Sequence, residues 1–495
     1  MSLKVLFIYP NYRPKSLIPA GLALLSRILK NNGVEVKLFD TTEYGIDKSK
    51  DYETISQKSL GVPPSPERKL VYADRDPWVD LNDIVKSFDP DLIAVSCTES
   101  TFLLGVEIIQ HIDDRNPCEM PVILGGAFAT YAPERALDFS EIDIVCIGEG
   151  EKSLLELCQK IEQRKSYKDV AGLAFRDKSG KIRQNPPPTF VKLDDNPTDF
   201  DLGIFGPERL LRPMDGKLYR MASVETIRGC AYHCAFCNSR DTVARKKSIS
   251  KVREELLCYR DHYNVEYNFF WADTFLLMSK KELDEFCEMY KEINLPFWVQ
   301  THVGTITDWR LKRLKDIGLH HIAVGIENGN EKFRREVILK NFSNKDAVTS
   351  TQIIADLDLI YNTNNMVGYP GETRDIAMDT IELNRCFSKV NMTNCFSFTP
   401  YYGTPARNVS VKEGFMDSDI IAPGNAEDSI LKMPKFLPEE VRGLRKTFAL
   451  YVKFPKSRWS EIRRAEKETE EGEKLLEELQ KEYAEKFFNE PKISF

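Results

Sequence analysis

No run of apolar residues in this 495-residue chain approaches the roughly 20 that a membrane-spanning helix needs. Met1 leads straight into a strand-like segment, without the charged and then apolar leader of a signal peptide. There is no excess of basic charge. The 69 Lys and Arg face 76 Asp and Glu, a net charge of −7, which argues against a bulk nucleic-acid footprint. Histidine is scarce, at six residues, and scattered, so no histidine-built metal or catalytic constellation is expected. Eleven cysteines in so long a chain are too few for a disulfide scaffold. No repeat of solenoid period is visible. What remains is an ordinary composition, 42% hydrophobic and 29% charged, at a length that implies two or three units. Three of the eleven cysteines fall within eight residues, which points to a metal site in a reducing, cytoplasmic setting.

The first part of the chain alternates short apolar runs with helical patterns. Lys4–Tyr9, Val34–Phe39, Leu92–Ser96, Val122–Leu124 and Ile144–Ile147 read as strands, and Ala20–Asn31, Leu103–Ile112 and Lys152–Gln163 as helices. Buried strands separated by helices predict an α/β, Rossmann-like domain over residues 1–165 with a parallel sheet. Residues 166–222 read as a connector, with a hairpin turning at Ser179–Gly180 and proline-broken segments after it. A second βα series follows in residues 223–400: Val224–Ile227, Tyr267–Trp271, Phe297–Thr301, His321–Gly325, Asn365–Gly368 and Cys395–Thr399. Six units predict a (βα)6 partial TIM barrel with its chemistry at the C-terminal strand ends. Residues 401–495 form a helical C-terminal region, and the stretch Glu466–Lys486 reads as a solvated helix face.

The strongest chemical signal is Cys230–Ala–Tyr–His–Cys234–Ala–Phe–Cys237, placed directly after the first barrel strand. Closely spaced thiolates on one loop bind soft metals without long-range ordering. Three ligands to a cubane leave one iron open for a substrate to chelate. A structural zinc site with a distant fourth cysteine or His233 is the competing reading, since zinc takes four ligands.

This spacing, with an aromatic residue just before the third cysteine, resembles the radical S-adenosylmethionine (SAM) superfamily. The resemblance implies a [4Fe–4S] cluster on Cys230, Cys234 and Cys237, whose open iron takes the amino and carboxylate groups of SAM. Phe236 would lie near the adenine. Gly325–Ile–Glu–Asn–Gly–Asn–Glu331 resembles the family's fourth-strand segment, where Glu327 would contact the ribose or amino group of SAM. Lys340 stands where relatives often have an Arg for the SAM carboxylate, and it keeps the charge but lacks the bidentate fork. Met366–Val–Gly–Tyr–Pro–Gly–Glu–Thr373 resembles the fifth-strand segment, in which Gly368 and Pro370 would pass close to the adenosine. Asp273 is a polar strand-end candidate for the same ligand, with a helix N-cap as its alternative role.

The front domain resembles the cobalamin-binding domain of the cobalamin-dependent radical SAM family. The likeness rests on Ile123–Leu–Gly–Gly–Ala–Phe–Ala–Thr130 and Ile147–Gly–Glu–Gly–Glu151, and the order of domains matches over roughly 400 residues. By that resemblance Gly125, Gly126, Gly148, Glu149 and Gly150 border the corrin or its nucleotide tail, and Ser96 and Thr98 hydrogen-bond the tail. The loop Pro10–Ala20 contains no histidine, so cobalamin is expected base-off and without a His ligand, its lower face capped by this loop, Pro10 included, with Tyr12 or Leu17 nearest, or by water. A second relative, the transfer-RNA methylthiotransferases, would need a second cluster on front-domain cysteines. Cys97 and Cys146 read instead as buried small hydrophobes, and Cys118 is scattered from them.

The resemblance implies a cytoplasmic, oxygen-sensitive methyltransferase. A methyl group would pass from SAM through methylcobalamin to an unactivated carbon of an unidentified substrate, which could be a small molecule, lipid, peptide or protein residue. A reductant such as flavodoxin or ferredoxin would supply electrons. Cobalamin-dependent oxidative cyclisation, without methyl transfer, is the alternative.

Overall fold

The computed structural model describes residues 2–12, 17–47, 73–113, 115–116, 119–214, 217–240 and 242–487. Cys118, residues 13–16 of the loop after the first strand, and the tail beyond 487 lie outside the described residues. The chain divides into two compact units. One holds the described residues up to 209 together with 421–423, and the other holds 210–420 and 424–487.

The first unit is built on a seven-stranded sheet. Its strands are β1 (Lys4–Tyr9), β2 (Glu35–Asp40), β3 (Leu92–Ser96), β4 (Val122–Gly125), β5 (Ile144–Cys146), β6 (Leu173–Arg176) and β7 (Ile182–Gln184). They lie in the order β2-β1-β3-β4-β5-β6-β7, with β1 to β5 parallel. The central strands are continuous apolar runs because helices cover both faces. Edge strand β2 instead reads EVKLFD, with exposed and part-buried residues alternating over its first half. The chain leaves β1 in opposite directions toward β2 and β3, which makes the crevice at their carboxyl ends the topological switch point. The hairpin anticipated at Ser179–Gly180 is present, and its strands β6 and β7 extend this same sheet in antiparallel fashion. Helix Pro77–Phe88, absent from the sequence reading, starts with Asp76 accepting from Trp78 N–H and with Pro77 in its first turn. In the later chain, Ala422 N–H donates to the buried Glu99 carboxylate at 2.7 Å.

The second unit is also a seven-stranded sheet. Its edge hairpin joins β8 (Leu211–Met214) to β9 (Lys217–Glu225), and a two-stranded ribbon pairs β10 (Ile227–Arg228) with β11 (Arg245–Lys246). The remaining strands are β12 (Tyr267–Trp271), β13 (Phe297–His302), β14 (Leu319–Glu327), β15 (Ile360–Val367) and β16 (Met392–Ser397). The order β16-β15-β14-β13-β12-β9-β8, with β9 and β12 to β16 parallel, is the expected partial barrel plus one antiparallel edge strand. Side chains alternate across it. On β13, Phe297 packs toward helix Lys280–Ile293 through Phe286 and Tyr290, while Trp298 meets Phe269 and His321 on the opposite face. Gln300 and His302 share the face of Trp298.

The C-terminal region is helical over Pro405–Lys412, Pro438–Lys453, Trp459–Ala465 and Glu470–Phe487. Its last helix is not merely a solvated face. Leu476, Leu479 and Tyr483 are buried in a core shared with Leu444 and Phe448. Glu466, read as solvated, is buried because Arg374 binds it bidentately at 3.0 and 2.6 Å and Tyr451 donates to it at 2.5 Å.

Candidate active site

The cysteine loop follows β10 and is fastened at several points. Ala235 N–H donates to Ile338 C=O at 2.8 Å, Ala406 N–H to Ala235 C=O at 3.0 Å, and Asn238 Nδ2 to Tyr402 C=O at 2.7 Å. The Arg407 guanidinium lies 3.5 Å over the Tyr402 ring. Cys234 is buried, and Cys230 and Cys237 are part-buried. Cys230 Sγ lies 3.7 Å from Thr274 Oγ1, and Cys237 Sγ accepts from Ser239 N–H at 3.4 Å. Burial pushes the Cys234 thiol up to about 11, opposed by the nearby Lys340 ammonium, and it also raises Cys237. Metal coordination would supply what desolvation withholds, since a bound thiol deprotonates.

Among the described residues no three such side chains converge on one ion position. A mononuclear zinc site needs that convergence, whereas the three protein ligands of a cubane each bind a different iron. The donor set itself, three buried or part-buried thiols on one fastened loop, matches the thiolate ligands of an iron–sulfur cluster. Phe236 packs against the core of the C-terminal helices.

Beside the loop, Glu327 and Lys340 form a buried ion pair at 2.8 Å. Two backbone features make it possible. The β14–β15 register shifts between Gly325 and Glu327, and Glu327 sits at φ +66°, a left-handed conformation that is strained for a side chain with Cβ. A Cβ on Gly325 would stand 2.4 Å from Glu327 Oε1 and 2.6 Å from Lys340 Nζ. The partners proposed for opposite parts of SAM are thus paired with one another here. Glu327, together with the nearby cysteines, keeps the Lys340 pKa raised despite burial.

His302 ends β13 in the same neighbourhood. Its ring stacks on Tyr232 of the cysteine loop at 3.9 Å and meets Phe342 edge-on. Nδ1 accepts from Gly304 N–H at 3.0 Å, and Nε2 is buried with no hydrogen-bond partner among the described residues. Desolvation, then the charges of Lys340 and Arg334, lower its pKa to about 3, so the ring is neutral. Sequence reasoning gave this residue no role.

It also missed two buried groups that lock the strand ends together. Glu372 is fully buried and accepts from Gly368 N–H at 2.6 Å, Tyr369 N–H at 3.1 Å and Asn328 Nδ2 at 2.6 Å. It therefore ties the segment after β15 to the one after β14. Arg334, also fully buried, donates to Asn328 and Phe342 carbonyls and stacks on Phe342 at 4.0 Å. Both lie inside or next to the quoted strand-end segments, which was the available signal. Gly368 has φ +86°, and a Cβ there would meet Val441 at 2.8 Å. Its glycine is required by the close approach of helix Pro438–Lys453. Pro370 is buried. Asp273 caps no helix, because the next one begins at Lys280 with Ser279 as its cap. Its side chain is open to solvent, yet surrounding protein raises its pKa, with the Ser239 hydroxyl opposing. Trp271, half-exposed at the end of β12, and the Asn364–Asn394 pair, bonded at 3.0 Å, add uncharged surface.

In the first unit the candidates gather at the carboxyl ends of β1, β3, β4 and β5. Their glycines divide in two. Gly125 and Gly148 have essentially open space where a Cβ would stand. Gly126, at φ +98°, would place a Cβ 2.2 Å from Cys97 C=O, and Gly150 packs against Leu25. Only the first two leave room for a ligand, and the other two serve protein packing. Gly148 N–H donates to Thr130 Oγ1 at 3.1 Å. Glu149 precedes helix Gly150–Glu162 at its N-cap. Ser96 ends β3, and Thr98 is the N-cap of helix Glu99–Gln110, its N–H bonded to Thr101 Oγ1. Pro10 is buried against Gly105, leaving part-exposed Tyr12 and Leu17 as the outward loop candidates. Asn11 fixes this loop by donating to Thr41 and Thr42 hydroxyls at 2.7 and 2.8 Å. His111 caps the far end of the 12-residue helix Glu99–Gln110, about 18 Å along its axis from the strand ends, and stacks on Trp78. Cys97 and Cys146 are buried among apolar side chains, with pKa values raised by desolvation, about 12 for Cys146, as befits small packing residues.

The radical SAM superfamily model matches residues 224–383, and the B12 binding domain model matches residues 68–158. The chain is 25% identical over 389 residues to the uncharacterized methyltransferase PH0819 of Pyrococcus horikoshii, covering 76% of this chain and 82% of that protein. It is 23% identical to the cytidylyl-2-hydroxyethylphosphonate methyltransferase of Streptomyces wedmorensis, covering 84% and 83% respectively. The fold is shared with the radical SAM methyltransferase TsrM of Kitasatospora setae, solved with cobalamin and a [4Fe–4S] cluster. That match has a TM-score of 0.58 at 18% identity and covers 83% of this chain and 75% of the other. Among the described residues no helix is long and apolar enough to cross a membrane.

Proposed function

Because the chain belongs to the cobalamin-dependent radical SAM enzymes, we propose that it is a methyltransferase that moves a methyl group from SAM to an unactivated carbon. The observation that supports this most directly is the trio of cysteines beside a buried, oppositely charged pair at the carboxyl edge of a partial barrel. A zwitterionic amino acid ligand matches that arrangement. When bound, the [4Fe–4S] cluster supplies the electron that cleaves SAM to a 5′-deoxyadenosyl radical, and cobalamin carries the methyl group.

The chain's own residues have simpler tasks. Cys230, Cys234 and Cys237 hold the cluster. Lys340 receives the SAM carboxylate and Glu327 the ribose or ammonium. Phe236, Gly368 and Pro370 border the adenosine, and Asp273 stands at the rim. Trp271, Gln300, Asn364 and Asn394 offer an uncharged face to substrate. Gly125 and Gly148 admit the cobalamin tail, with Ser96, Thr98 and Glu149 beside it. Tyr12 and Leu17 are the loop residues that would lie against bound cobalamin, and His111, at the far end of its helix, would not reach it. A low-potential flavodoxin or ferredoxin in a reducing compartment provides the electron.

Two measurements test this reading. Anaerobic incubation of reduced, reconstituted protein with methyl-labelled SAM and host extract should transfer label and form S-adenosylhomocysteine as well as 5′-deoxyadenosine. Deoxyadenosine alone would mark an oxidation or cyclisation instead. Electron paramagnetic resonance of bound cob(II)alamin should lack superhyperfine splitting from an axial nitrogen.

A further inference from the structure

A lysine in place of an arginine leaves a carboxylate ligand one donor short. An arginine fork meets both carboxylate oxygens, whereas an ammonium is a point charge. The structure supplies an unused donor on His302, whose ring meets Phe342, two residues beyond Lys340. His302 Nδ1 is occupied as an acceptor of Gly304 N–H, so the proton of the neutral ring resides on Nε2. His302 is only 4% exposed, and that N–H is buried with no partner among the described residues. A buried donor left unbonded costs about 1–3 kcal/mol, so it calls for a partner such as a ligand or an ordered water. The ring stands on the barrel face shared with Trp298 and Gln300, and it is stacked on Tyr232, between the first two cluster cysteines. Gly304 holds one edge of the ring, and Tyr232 and Phe342 hold its plane, so the donor is preorganised.

We infer that His302 Nε2–H and Lys340 Nζ together form the receptor for the α-carboxylate of SAM, His302 supplying the second hydrogen bond that an arginine fork would have made. The inference rests on the proposed SAM site. It makes His302 a determinant of SAM affinity through one ligand group only.

The test uses full-length protein reconstituted with its cluster and left unreduced, so that SAM stays intact. Equilibrium dialysis measures the Kd of SAM and of decarboxylated SAM, with iron content checked for each variant. His302→Phe should weaken SAM about tenfold and leave decarboxylated SAM unchanged. His302→Gln, which restores a side-chain N–H, should hold SAM within about threefold of the unaltered protein. Unchanged SAM affinity in His302→Phe, or equal weakening of both ligands, would overturn the inference. If His302→Phe takes up no iron, the Gln variant decides alone: a loss beyond threefold overturns it and retention supports it. Failure of the unaltered protein to bind SAM would instead overturn the site on which the inference is built.

Discussion

The carboxyl edges of the two sheets are constructed on opposite plans. In the first unit the edge is defined by what is missing: glycines at 125 and 148, where a side chain would enter open space, with the small hydroxyls of Ser96, Thr98 and Thr130 nearby. In the second it is filled with long side chains that satisfy one another, Glu327 with Lys340 and Glu372 with Asn328 and two backbone N–H groups. A broad ligand such as a corrin with its tail demands surface and depth, which backbone supplies by removing side chains. A small zwitterion demands point charges at fixed positions, which only anchored side chains supply. The difference implies that the two cofactors are lost through different kinds of mutation.

The contrast is broken most completely at the cysteines. Replacing Cys230, Cys234 or Cys237 by Ala should abolish iron binding and the broad absorbance near roughly 400 nm, yet leave cobalamin bound. Full iron content in a triple variant would refute the cluster assignment. Gly126→Ala is the mirror experiment. Its Cβ would stand 2.2 Å from Cys97 C=O at φ +98°, so the first unit should lose about 2–4 kcal/mol in denaturant unfolding, with cobalamin lost and iron kept. Glu372→Ala strands two backbone N–H groups and the Asn328 amide. Stability should fall by about 2 kcal/mol and SAM should bind more weakly, with cobalamin affinity unchanged. Gly148→Ala sharpens the comparison with the smallest effect. Nothing lies within 4 Å of its Cβ, so only the φ of +81° costs stability, about 1 kcal/mol. Titration should show cobalamin weakened more than folding, and equal loss of both would place Gly148 with the packing glycines.

The sequence made parts of this legible for local reasons. The cysteine loop is contiguous, and strands β1 and β3 are apolar runs, polar only at one end, whose bounds are read directly, as are those of the aromatic-rich β12. Strand β15 was recognised only from Asn365 onward, because its first half, Ile360–Asn364, is rich in asparagine and threonine. There Thr363 and Asn365 are paired with Asn384 of a covering helix, a tertiary compensation that strand propensity does not contain. The pairing of Glu327 with Lys340, thirteen residues apart, depends on a register shift that no pattern announces. Neither does the orphan nitrogen of His302, which exists only because a local turn occupies its other ring nitrogen.

Gly325 has a further consequence in the language of inheritance. With its Cβ position already occupied by a carboxylate oxygen and an ammonium, positions 325, 327 and 340 are one heritable unit. An alanine at 325 would push both side-chain ends aside and open the pair, unless the acid at 327 or the cation at 340 were shortened. Descendants of this sequence would therefore change the three together, and the trio marks a lineage more faithfully than any one of its members.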